Sequence, residues 1–144
     1  MKFDFIFLGQ SVLKYETPLD VFTTINQIYE ENFASLHKAN QQLVGKIKNE
    51  HSLFYDGDDE SKMKKHNALP QNVLNWFMQM FHHYLEFNHI RQYQTHLNSI
   101  WVNEMKAHEY NPVHVHQGNI FTGLSSVMIL KLPNTYGVEY SAEG

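Results

Sequence analysis

The chain has 144 residues, 11 Lys and Arg against 15 Asp and Glu, a formal charge of −4, ten histidines and no cysteine. A pI near 6.2 gives no general attraction to phosphate backbones, so nucleic-acid binding is not indicated, and zero Cys excludes disulfides, zinc–thiolate sites, iron–sulfur clusters and cysteine nucleophiles together. The length predicts a single domain spanning 1–144, compact enough to bury roughly 69% of its unfolded surface, with 10 Phe, 8 Tyr and 2 Trp to fill the core.

Residues 2–8 (KFDFIFL) alternate Phe3, Phe5 and Phe7 and predict a half-buried strand. The acid at Asp4 breaks any secretory pattern, and no apolar run approaches the roughly 18–20 residues of a membrane-spanning helix. Thr17 as N-cap, Pro18 in the first turn and Asp20 near the positive end of the dipole predict a helix start. Phe22, Ile25, Tyr29, Phe33 and Leu36 then recur at spacings of three and four, which marks one core-facing stripe. Leu43, Val44 and Ile47 read as a further short helix. Residues 56–67 (DGDDESKMKKHN) read as a surface loop: Ser61 stands where a calcium loop needs Gly, and Asn67 where it needs Glu.

Pro70 opens a second helix over about 70–88, with Val73, Leu74, Phe77, Phe81, Tyr84 and Leu85 as its buried stripe and Asn88 as its stop. Glu86 and His89 have the Glu-x-x-His spacing of di-iron bundles, which need two such pairs and two further Glu; only one pair is present. His82 and His83 point about 100° apart on a helix, so they cannot both face one metal. After residue 94 the texture changes. Residues 97–105 (LNSIWVNEM), 112–116 (PVHVH) and 122–132 (TGLSSVMILKL) read as extended, Val138 to Tyr140 begin another strand, and Gly118, Gly123, Gly137, Pro112 and Pro133 mark the breaks. The class is therefore α+β, with about 1–94 mainly helical and about 95–144 strand-rich.

His114 and His116 carry the clearest chemistry. On a strand, side chains at i and i+2 share a face about 6.5–7 Å apart, so both imidazoles can reach one metal while Val113 and Val115 face the other way. The same spacing also occurs in plain surface strands. Asn103 shares a strand face with Trp101 and Met105, and a short connection at 107–111 is expected to return the chain beside it as a hairpin. Asn103 would then reach a ligand at the metal, or else be an exposed strand residue.

Trp101, Asn103, Asn111, Pro112, His114, His116, Ser125 and Pro133 together resemble the metal-binding half of the iron(II)/2-oxoglutarate-dependent dioxygenases. The likeness is to oxygenases of phages and marine bacteria with a W-x-N then N-P-x-H-x-H pattern; Asn40, Leu43, Val44 and Gly45 are similar to the same group. The resemblance implies a double-stranded β-helix (jelly roll) with an N-terminal strand and helices packed outside it, incomplete at the C-terminal end. It implies Fe(II) held by His114 and His116, with His116 standing where the wider superfamily has Asp or Glu. It assigns Asn103 to the cosubstrate 2-oxoglutarate. A facial set of ligands leaves positions open for the keto acid and O₂, and the oxidative chemistry is the metal's own.

The family draws a distal His and an Arg from later strands, whereas the last histidine here is His116 and the last arginine Arg91. His108 is a candidate third imidazole, and the Tyr-rich strand of the relatives is replaced by Val127, Met128 and Ile129. The expectation is thus a hydroxylase-type oxygenase or the N-terminal portion of one. The alternative is a noncatalytic jelly-roll binding or assembly module, such as a phage accessory protein, that has lost the chemistry. Either leaves an open sheet edge, which predicts self-association or pairing with a C-terminal segment. A cytoplasmic location is expected, the host's if the chain is viral, with no membrane contact. The substrate is not legible.

Overall fold

A computed structural model of the chain describes residues 11–39, 45–59, 61, 63–112 and 123–134. In order, these form α1 (Leu19–Asn32), β1 (His37–Lys38), β2 (Asn49–Tyr55), β3 (His66–Asn67), α2 (Gln71–Phe87) and β4 (Ser99–Glu104). Two helices and a four-stranded antiparallel sheet make the chain α+β. β2 is the central strand: β4 pairs along its whole length on one edge, while β1 and β3 follow one another on the other.

Thr17 does not cap α1. The helix begins at Leu19 with Pro18 as N-cap, and Pro18 has ψ of 140°, an extended value that excludes it from the helix. Its carbonyl accepts the first helical bond from Phe22 N–H at 3.0 Å. Thr17, preceding a proline, is itself biased away from helical backbone. The buried stripe is Val21 and Ile25; Phe22 and Tyr29 are half-buried, and Phe33 and Leu36 lie beyond the helix end. In α2, Pro70 and Asn88 stand at the N-cap and C-cap as expected, and Val73, Leu74, Phe77 and Leu85 are buried.

Val21, Ile25, Leu53, Leu69, Val73, Leu74 and Phe77 form the core, with Ile100, Val102, Met128 and Leu130 packed against it. Both helices therefore cover one face of the sheet. Cross-strand partners share a face, so His51↔Val102 and Phe54↔Ile100 point toward the helices, whereas Glu50↔Asn103 and Ser52↔Trp101 point away. A bulge at Leu53 joins the two registers, and Leu53 is completely buried. The extra residue turns the strand while keeping its apolar side chains in the core.

Several expectations change. Residues 45–48 do not form a short helix: Lys46 makes an isolated bridge with Tyr110, and Ile47 is buried beside it. The expected surface loop ends early, because His66–Asn67 pair with Phe54 and Tyr55 as β3. β1, β2 and β3 all fall within the stretch expected to be mainly helical. Residues 123–134 form no ladder among the described residues, although Val127 and Ile129 are exposed while Met128 and Leu130 pack on the core. The strands expected at 2–8 and Val138 to Tyr140, and the one expected at 112–116 beyond Pro112, lie outside the described residues. No helix among the described residues is long and apolar enough to cross a membrane.

Candidate functional site

Asn103 sits on β4 opposite Glu50, on the face turned away from α1 and α2, and its side chain is exposed. Trp101, two residues before, shares that face at 38% exposure. The alternation expected of Trp101 and Asn103 is therefore realised, with Ile100 and Val102 taking the inward positions. Asn49 donates to Glu104 at 2.6 Å and fixes the end of the β2–β4 ladder.

Through Tyr110 the connection at 107–111 does not turn the chain back, and the return strand expected at 112–116 lies, beyond Pro112, outside the described residues. Instead the chain continues past β2 in the same sense: Lys46 N–H donates to Tyr110 O at 2.9 Å and Tyr110 N–H to Lys46 O at 3.3 Å. The intervening residues bow outward as a loop. Glu109 holds it, accepting from Lys106 N–H at 2.9 Å and from Lys48 N–H at 3.3 Å. His108 stands at its tip with a left-handed φ of 66° and is exposed.

Gly45 lies under the next residues. A Cβ there would meet Tyr110 O at 2.5 Å, Asn111 Cα at 3.0 Å and Pro112 Cδ at 3.0 Å. The Asn111–Pro112 pair thus rests directly on the Gly45 backbone, an approach only glycine permits. His114 and His116 lie outside the described residues. Among the described residues, no group of three or more His, Asp or Glu is gathered closely enough to hold a metal ion.

The other expected histidines have separate roles. His82 bonds Thr95 Oγ1 at 2.6 Å and His83 bonds the Tyr15 hydroxyl at 2.9 Å, so the adjacent pair diverges as helical geometry requires. His89 has left the helix at φ 59°, which removes it from the helix-face register with Glu86.

Spacing alone gave no sign of a second cluster on the sheet edge where β1 and β3 meet β2, next to the end of α1. His37, Ser52 and His66 come from three strands. The His37 and His66 rings stack with centroids 4.2 Å apart, and His66 reaches Ser52 Oγ at 2.9 Å. On the face toward the helices His51 is 2% exposed, its ring 4.4 Å from Phe33 and 6.0 Å from Tyr29 between centroids. Burial, reinforced by the Lys38 charge and opposed by Glu104, pushes its imidazole below the usual histidine range. Asp56 is partly exposed; its hydrogen bond from Lys65 holds its carboxyl below the usual range, with His96 adding to the effect.

The chain matches no protein-family model, no curated protein and no solved structure.

Proposed function

We propose that this chain is an iron(II)/2-oxoglutarate-dependent oxygenase, or the N-terminal portion of one, with His114 and His116 as metal ligands and Asn103 as a contact to the keto acid. One observation supports the reading best. The helices cover a single face of the sheet, and Asn103 lies exposed on the other, the side on which a jelly roll encloses its ligands. The Lys46–Tyr110 bridge and the Gly45 contact add to it, because they tie Asn111–Pro112 to the sheet just before the His-x-His pair. Paired imidazoles suit iron(II) among several divalent ions, and when bound the metal supplies the oxidative chemistry. Anaerobic titration with Fe(II) and 2-oxoglutarate tests the reading through the metal-to-ligand absorbance band. The wild-type protein gives the band, His114→Ala abolishes it, and Asn103→Ala weakens 2-oxoglutarate binding. No band in the wild type rejects the enzyme; unchanged affinity in the Asn103 variant rejects that residue's role.

A second reading, a noncatalytic jelly-roll binding or assembly module, draws on the exposed Val127 and Ile129, at 86% and 58%. Under either reading the chain self-associates or pairs with a further segment.

A further inference from the structure

We propose that Ser52 is an activated nucleophile with His66 as its general base, at a second site that accepts short uncharged esters. Its chemistry is independent of the metal reading.

The hydrogen bonds fix the protonation pattern. His66 Nδ1 lies 2.8 Å from Lys64 O, and a carbonyl oxygen only accepts, so Nδ1 carries the proton of the neutral ring. Nε2 is then a bare lone pair, 2.9 Å from Ser52 Oγ, and the serine hydroxyl donates to it. A competing acceptor, Phe54 O, is more distant at 3.3 Å. A hydroxyl donating to an imidazole whose other nitrogen is held by a third group is the arrangement that makes serine nucleophilic.

The ring is also held in place. His37 stacks on it at 4.2 Å with planes 30° apart, and Tyr55 lies 6.5 Å away at 25°. Strand pairing sets these neighbours, since His37 is opposite Ser52 on β1 and β2 while His66 is opposite Tyr55 on β2 and β3. Ser52 itself is 3% exposed, which shields its hydroxyl from bulk water.

Ser52, His37 and His66 line a cleft of about 310 Å³ completed by Asn32, Ser35, Leu36, Asn67 and Ala68. None of these is Lys, Arg, Asp or Glu. The volume and the uncharged lining suit a small neutral acyl group. In the reaction, Ser52 Oγ bonds to the ester carbonyl carbon as its proton passes to His66 Nε2. The bond to the alcohol oxygen breaks, and that oxygen takes the proton from His66. Water then cleaves the acyl-serine to the free acid, and the hydroxyl is restored.

The test is labelling with a fluorophosphonate, in which the Oγ–P bond forms, fluoride leaves and the serine proton departs through His66. It is run with chelator present, so that failure of the metal reading cannot affect the result. Peptide mass spectrometry of labelled wild-type protein finds the adduct at Ser52. Ser52→Ala removes it, and His66→Gln slows it by at least about 100-fold, the lower end of general-base contributions. Heat-unfolded wild type, which keeps Ser52 but loses the dyad, is not labelled there. No adduct at Ser52 in folded wild type, equal labelling of the unfolded chain, or wild-type rates in a folded His66→Gln variant would each overturn the proposal.

Discussion

Replacing Gly45 with Ala tests how the Asn111–Pro112 segment is anchored. The added Cβ would sit 2.5 Å from Tyr110 O, about 1 Å inside ordinary van der Waals contact. The obstacle is backbone, so no side chain can swing aside. Relief requires the two strands to part at the Lys46–Tyr110 bridge, which has two hydrogen bonds worth about 0.5–1.5 kcal/mol each. Gly45 does not occupy the left-handed region, so alanine brings no dihedral penalty, and its stiffer unfolded chain returns about 0.4–1 kcal/mol. The expected net loss is about 1–2 kcal/mol. For a chain of this size that lowers Tm by roughly 3–8 °C. Gly57→Ala is the control. Its Cβ would meet the Tyr55 ring first, at 2.5 Å from the hydroxyl, and a side chain can rotate, so the loss is smaller. Thermal melts and urea titrations give the stabilities, and amide exchange at Lys46 and Tyr110 locates the damage. A Gly45→Ala protein as stable as wild type, with both amides still protected, would refute the account of the anchor.

Leu53→Ala removes the completely buried bulge residue and should cost about 3–5 kcal/mol, seen as a lower urea midpoint at unchanged slope. His51 sets a pH dependence. Its folded imidazole is held below the usual range by burial and then Lys38, so the unfolded chain takes up the proton first as pH falls below about 6.5. The contribution of neutral His51 is complete above that value and declines on acidification until the folded ring protonates too. His51→Phe should flatten the stability change between pH about 7.5 and 5; an identical slope in both proteins would count against His51 as the source.

α2 could be read from the chain because its signals are local. Pro70 and Asn88 stop the helix by backbone chemistry, and Val73, Leu74 and Phe77 repeat within a few turns. The outward face of Asn103 was legible for the same reason, through alternation with Ile100 and Val102. β2 was not. Glu50, His51, Ser52 and Leu53 are buried consecutively, which hides a period of two, and only the bulge reconciles them with one strand. Their polarity suggests loop until the partners are known: Asn49 finds Glu104 and Ser52 finds His66. The path after β4 likewise depends on a pairing with Lys46 far back in the chain, which no short pattern encodes. The Ser52–His66 contact is non-local in the same sense.

Exposed apolar side chains at 127 and 129 predict association. Val127 and Ile129 are the most exposed apolar residues of a segment whose alternate side chains, Met128 and Leu130, pack on the core. Outward apolar residues in this setting gain by burial at about 25 cal/mol per Å². Sedimentation at tens of micromolar should therefore reveal a dimer or larger species. Val127→Lys with Ile129→Lys should convert it to monomer without lowering Tm beyond what dissociation itself explains, because neither side chain contributes to the core. The distinction matters: an overpacked or unfolded variant would also lose the assembly, but it would lose the cooperative melt with it. A wild-type protein that stays monomeric across that concentration range contradicts the prediction. The apolar surface of residues 127–132 would then need another explanation than a second copy of the chain.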